Sequence, residues 1–228
     1  MTNRDFNMEL IVALDVDNIS QAEKIIDLLK SKVKIFKVGS RLFTSEGPKI
    51  IDLINSKGCK VFLDLKYYDI PTVIAEAVRI AGEKKVFSTT LHASGGRDML
   101  KLAVQQKPRP LIWGVTVLTS FDENNLKEIG VTKKVDEQVE SLAKLAKESG
   151  LNGVVCSAQE IGIVKKVGGL QIIVPGIRLE DAKDDQKRTL TPKKAKELGA
   201  DYIVVGRPII KSENPSAVVD TIISICLS

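Results

Sequence analysis

Eight short runs of β-favouring apolar residues recur along the chain, and helix-like stretches with charged faces separate them. The runs are "ELIVALDV" (9–16), "KIFKVGS" (34–40), "KVFLDLK" (60–66), "STTLHA" (88–93), "LIWGVTVL" (111–118), "GVVCS" (153–157), "QIIVPG" (171–176) and "YIVVGRPI" (202–209). Strands alternating with helices pair in parallel through right-handed crossovers. "SQAEKIIDLLKSK" offers Ser20 as a helix N-cap, "VDEQVESLAKLAKES" stops before Gly150, and "NPSAVVDTIISICL" closes the chain. Two closures accommodate this pattern: an open doubly wound sheet and an eight-fold (β/α)8 barrel. Eight evenly spaced units in 228 residues fit the TIM barrel better, since that fold needs about 200 residues at minimum. No linker, low-complexity tract or charge block divides the chain, so residues 1–228 are expected to form one barrel domain.

Composition removes several classes of function. The 43% apolar content supports a packed core rather than disorder. The longest apolar runs fall far short of the ~20 residues of a membrane span, and the N-terminal "MTNRDFNMEL" has no signal-peptide core. A cytoplasmic protein without a membrane partner is expected. Cys59, Cys156 and Cys226 are isolated, which suggests neither a disulfide framework nor a zinc site. His92 is the one histidine, so chemistry that needs two or three is excluded. The net charge of +5 is spread along the chain with few aromatics and no basic arm. Nucleic acid is not an expected partner; a small anionic substrate suits the mild positive balance.

In a barrel the active site forms at the C-terminal ends of the strands. The eight runs end on Asp15, Lys37, Asp64 with Lys66, His92, Thr119 with Ser120, Ser157, Arg178, and Gly206 with Arg207. Loops are polar, so some of these ends carry no message. Charge inside the apolar frames "IFKVG" and "FLDLK" is different, because buried strands rarely hold unpaired charge. Asp64 and Lys66 are two apart and face the same side of their strand, into the barrel mouth. Asp69 follows in the next loop, and Lys37 should sit beside Asp64 from the preceding strand. Lys37, Asp64, Lys66 and Asp69 then form an alternating array in which each charge offsets its neighbour's desolvation.

A second cluster lies at the seventh and eighth strand ends, "VPGIR" and "VVGRPI". Barrels frequently bind phosphate there through backbone N–H groups. Gly176 and Gly206 allow close backbone approach, and Arg207 supplies a forked cation. The polar segment 178–192, "RLEDAKDDQKRTLTP", has the length and composition of a lid. Thr119, Ser120 and Ser157 are neutral donors and acceptors suited to an amide edge. His92 has no adjacent nucleophile and forms no Ser-His-Asp arrangement.

"DLKYYDIP" resembles the D-x-K-x-x-D-I-P signature of the orotidine 5'-phosphate decarboxylase family. The likeness continues through "ALDVD", "FKVGSRLFTSEGP", "LHASGG", "VTVLTS", "GVVCSAQE", "VPGIR", "DQKRTLTP" and "VVGRPI", in order, over nearly the whole chain. The resemblance implies decarboxylation of orotidine 5'-monophosphate without cofactor or metal. Asp15 and Lys37 would hold the ribose hydroxyls, Asp64 would lie against the substrate carboxylate, and Lys66 would deliver a proton to C6. Thr119 and Ser120 would meet the pyrimidine edge. Pro175, Arg178, Gln186, Gly206 and Arg207 would surround the phosphate, under the 178–192 loop. The family's dimer is implied, with Asp69, Ile70 and Thr72 reaching a neighbouring subunit's site.

Three departures stand out. The family's D-I-P-N-T-V has a threonine where this chain has Val73, with Thr72 just before it; G-D-Q-K-R becomes "DDQKR"; and the aromatic-His pair before the second aspartate is Tyr67-Tyr68. None touches Lys37, Asp64, Lys66 or Asp69. The competing classes are a metal-dependent sugar-phosphate barrel, of the ketogulonate-phosphate decarboxylase or hexulose-phosphate synthase type, and a non-catalytic nucleotide-phosphate-binding barrel. A tryptophan-pathway isomerase would share the phosphate corner but not the charged array.

Overall fold

A computed structural model describes residues 8–179 and 190–227. Its eight strands are β1 (Glu9–Ala13), β2 (Ile35–Gly39), β3 (Lys60–Tyr67), β4 (Ser88–His92), β5 (Leu111–Val115), β6 (Gly153–Val155), β7 (Gln171–Val174) and β8 (Tyr202–Val205). Every adjacent pair is parallel, and β8 returns to β1 through Leu10↔Ile203 and Ile11↔Val204, which closes the barrel. The open-sheet alternative is thereby set aside. Among the described residues, no helix is long and apolar enough to cross a membrane.

Helix boundaries follow local capping chemistry. The first helix, Ile19–Leu29, is capped by Asn18, whose side chain accepts from the Gln21 amide at 3.0 Å. The expected cap, Ser20, instead lies inside the first turn; Asn18 has the extended backbone that a cap requires. The helix Val135–Glu148 ends as expected, with Gly150 at φ 86° just beyond it, where a side chain would be strained. Thr191 caps Pro192–Leu198, which carries proline in its first turn.

Alternation along the strands sorts residues into two apolar layers. Outward side chains such as Val12, Phe36, Val38, Leu63 and Ile203 pack under the helices. Inward ones, Ile11, Ile35, Phe62, Trp113, Ile173, Tyr202 and Val204, fill the barrel. Trp113 anchors this inner layer. Its ring meets Phe62 edge-on at 4.7 Å and lies 5.1 Å from Tyr202, while its indole N–H donates to Gln171 Oε1 at 3.1 Å. Trp113→Ala should therefore cost about 3–5 kcal/mol of stability, read as a lower urea midpoint; a midpoint unchanged from wild type would mean the inner layer is not packed as described.

Two steps along a strand carry each inward file from this apolar floor to the rim. Ala13 gives way to Asp15, Ile35 to Lys37, and Phe62 to Asp64 and then Lys66. The rim is thus built by parity, and the site sits where the strands end.

Candidate active site

The charged rim is a chain of four groups. Lys37 Nζ lies 3.2 Å from Asp15 Oδ1 and 3.7 Å from Asp64 Oδ2, and Lys66 Nζ donates to Asp64 Oδ2 at 2.9 Å. The side chains of Lys37 and Asp64 are each only 12% exposed, so they interact in a medium that screens poorly. The order is Asp15–Lys37–Asp64–Lys66, two cations and two anions, which offsets the cost of desolvating each. Within one chain the outer anion is Asp15 rather than Asp69. Asp69 is exposed, and its Oδ1 accepts from the neighbouring Ile70 amide at 2.7 Å. The sequence suggested proximity because Asp69 follows Lys66 by three positions, but the chain turns outward there to enter the helix Pro71–Glu83.

Burial pushes the Asp64 carboxyl upward, the largest single influence on it. The charges of Lys37 and Lys66, with hydrogen bonds from Lys66 and Thr90, outweigh that and hold it below the ordinary carboxylate range. Asp64 is therefore an anion at neutral pH, held in place from three sides.

Lys66 has an unusual backbone. Its φ is 50°, the left-handed region that a lysine rarely enters. The register of β3 on β4 shifts between Leu63 and Tyr67, so Leu63 faces Thr89 while Tyr67 faces Leu91. This bulge turns the Lys66 ammonium over the cavity, a common use of bulges beside active sites.

The cavity itself is about 220 Å³ and is lined by ten of the residues singled out from sequence: Asp15, Lys37, Asp64, Lys66, Thr119, Pro175, Gly176, Arg178, Gly206 and Arg207. Its floor is Ala13, Phe62, Val155, Ile173 and Val204. The tetrad stands on one side; Arg178 and Arg207, from the β7 and β8 ends, stand on the other. Gly206 closes the wall between them: a Cβ there would lie 3.3 Å from both Ala13 Cβ and Asp15 Oδ2. Arg178 is buried, and its guanidinium donates to the Ile177 carbonyl at 3.0 Å. Ile177 bridges Leu190, and the Arg178 amide donates to the Leu190 carbonyl at 2.9 Å, so the two ends of the 178–192 segment are tied together beside the cavity. Gln186 lies outside the described residues.

Other expected residues are not in this cavity. Ser120 is exposed beside Thr119. Ser157 is fully buried, its amide donates to Glu160 Oε2 at 2.8 Å, and it does not line the cavity. Ile70 and Thr72 are exposed at the start of the helix Pro71–Glu83. His92 lines a separate, largely apolar cavity with Tyr68, its edge-on neighbour at 5.8 Å; Lys66 stands on the wall between the two cavities. Burial first, and then the Lys66 charge, lower the His92 pKa despite the opposing pull of Asp64, which favours a neutral imidazole. One contributor escaped the sequence reading. Thr90, buried in β4, donates to Asp64 Oδ1 at 2.9 Å and accepts from the Lys66 amide at 2.9 Å. The run of three hydroxyl residues in a buried strand, "STT" at 88–90, was the available signal.

Residues 8–222 match the model of the orotidine 5'-phosphate decarboxylase / HUMPS family. The chain is 50% identical over 216 residues to a protein of Carboxydothermus hydrogenoformans named orotidine 5'-phosphate decarboxylase, covering 90% of each chain. It is 45% identical over 222 residues to a protein of the same name from Alcanivorax borkumensis, covering 94% of this chain and 96% of the relative. The crystal structure of orotidine 5'-phosphate decarboxylase from Lactobacillus acidophilus superposes with a TM-score of 0.85 at 36% identity, over 97% of this chain and 100% of that one.

Proposed function

The chain belongs to the orotidine 5'-phosphate decarboxylase / HUMPS family, and on that premise we propose that it converts orotidine 5'-monophosphate to uridine 5'-monophosphate in pyrimidine synthesis, with Lys66 as the proton donor. One observation carries the assignment. The Lys66–Asp64 pair at 2.9 Å shares an apolar-floored cavity with the Arg178 and Arg207 guanidinium groups. A nucleotide spans such a cavity with its phosphate on the arginines and its base under the lysine.

The chemistry needs no further group. The C6–carboxylate bond breaks, carbon dioxide leaves, and its electron pair stays in an sp² orbital at C6 that the ring delocalises poorly. A fixed ammonium beside that carbon stabilises the developing charge and then transfers its proton to C6. Lys66 ends neutral and regains a proton from water. Asp64 holds the ammonium in place and stands against the departing carboxylate. Asp15 and Lys37 hold the ribose hydroxyls, and Thr119 with Ser120 read the pyrimidine edge. Pro175, Gln186, Arg178, Gly206 and Arg207 enclose the phosphate, whose binding energy is available to the transition state.

The functional unit is a cytoplasmic homodimer in this proposal. Asp69, Ile70 and Thr72 are exposed beside the mouth, next to the uncovered Tyr68 and Val73. Such a patch of large apolar side chains supports burial against a second copy. Asp69 would then reach the partner's site.

The assay is the fall in ultraviolet absorbance of orotidine 5'-monophosphate with chelator present. Turnover is expected to persist, because the two carboxylates facing the cavity, Asp15 and Asp64, are both held by ammonium groups. Loss of turnover in chelator would favour a metal-dependent sugar-phosphate enzyme. Tight binding of uridine 5'-monophosphate without carbon dioxide release would favour a binding protein.

A further inference from the structure

The Lys66 ammonium is aimed by a strained backbone, and something must hold that strain. A lysine at φ 50° is in the left-handed region, where its Cβ crowds the backbone carbonyl oxygen. The register shift between Leu63 and Tyr67 also takes the Lys66 amide out of the regular ladder with β4. A buried amide left without an acceptor is a further penalty. In this fold the acceptor is a side chain: Thr90 Oγ1, 2.9 Å from the Lys66 nitrogen. The same hydroxyl lies 2.9 Å from Asp64 Oδ1 and donates to it. A hydroxyl has one proton and two lone pairs. Once its proton is committed to the carboxylate, it is an acceptor toward the amide, so the two bonds fix each other's direction.

We infer that Thr90 is a positioning residue of this site: one hydroxyl pins both the bulged backbone that carries Lys66 and the carboxylate that holds its ammonium. This rests on Lys66 being the proton donor. Thr90 is fully buried and is absent from the cavity lining, so it acts through Lys66 and Asp64 and not on the nucleotide. The neighbouring Thr89 gives the contrast. It is equally buried on the opposite face of β4, and its hydroxyl donates to the Leu63 carbonyl at 3.0 Å. That bond serves the sheet alone.

The test compares Thr90→Val, which keeps volume and branching but removes the hydroxyl, with Thr90→Ser, which keeps the hydroxyl. Thr90→Val should lower kcat roughly 10–100-fold, the range for losing a hydrogen bond to a charged group, while the Kd for uridine 5'-monophosphate stays within about three-fold because both nucleotide anchors are untouched. Thr90→Ser should recover most of the rate. A pH profile separates positioning from simple loosening. The charged and titratable groups facing Asp64 are Lys37 on β2, Lys66 on β3 and His92 at the end of β4. The Thr90 hydrogen bond helps keep the Asp64 carboxyl low, so its loss moves the acid limb of kcat to higher pH in Thr90→Val and not in Thr90→Ser. Unchanged kcat in Thr90→Val, an equal defect in Thr90→Ser, or a loss of product affinity matching the loss of rate would each overturn the inference. If Thr90→Val does not fold, amide hydrogen exchange on the unmodified chain decides: the Lys66 amide should be protected, and exchange at the rate of an open loop rejects the bond. Failure of the unmodified chain to release carbon dioxide rejects the decarboxylase proposal instead, so the two failures are distinguishable.

Discussion

Lys66→Ala should lower kcat on orotidine 5'-monophosphate by about 10³-fold or more, while uridine 5'-monophosphate still binds within about ten-fold of wild type. In the proposed mechanism the substitution removes both the proton source and the cation nearest the developing carbanion. What remains explains the retained affinity. Asp15, Lys37, Arg178, Gly206 and Arg207 are untouched, and Asp64 keeps Lys37 at 3.7 Å and the Thr90 hydroxyl at 2.9 Å. Single-turnover rates and product binding by calorimetry separate the two effects. Retention of a hundredth of the wild-type rate would sink the proton-donor assignment, because no other ammonium in the tetrad is free of a second carboxylate. Lys37 lies between Asp15 and Asp64, whereas Lys66 has Asp64 on one side and open cavity on the other.

The second large effect tests the proposed dimer. Asp69→Ala should reduce kcat/KM by about 10²–10³-fold as a homodimer, the range for removing one organised electrostatic contact. Among the described residues of one chain, the side-chain hydrogen bond of Asp69 is with the amide next to it, so a purely intramolecular account predicts almost no effect. Mixing the two inactive variants provides the stronger readout. In a mixed dimer of Lys66→Ala and Asp69→Ala subunits, one site carries both changes and the other neither. Random exchange makes about half the dimers mixed, which restores about a quarter of wild-type activity. No recovery after subunit exchange, with mixed dimers demonstrated by mass, would place Asp69 outside the partner's site. Asp69→Ala with full activity would remove it from the reaction altogether.

Most of the fold was legible in the sequence, for a definite reason. Eight β-rich runs in parallel pairing admit few closures, and all eight runs correspond to strands of the closed barrel. Parity then placed Asp64 on the inner face and Leu63 among the buried residues under the helices, while Lys66, expected on the same face, lines the cavity from within the bulge. The strand-end rule brought Asp15, Lys37, Thr119, Arg178, Gly206 and Arg207 to one cavity without any coordinates. Ser157 shows the limit of that rule. It too follows a strand, yet its amide is tied to Glu160 and it does not line the cavity. Asn18 displaced Ser20 as a cap because both residues suit the role and only the backbone path chooses between them.

The identity of the charged groups, their strand positions and their inward parity are properties of the chain alone, since side-chain alternation has a period of two wherever a strand is regular. Which partners those charges take is not. Within one chain Asp15 takes the place beside Lys37 because β1 runs beside β2, while the chain after Lys66 turns away and carries Asp69 with it. The left-handed turn at Lys66 and its clamp by Thr90 arise from a register shift between β3 and β4, where periodicity is interrupted. A local pattern cannot encode such an interruption; it exists only when two strands distant in sequence are set side by side.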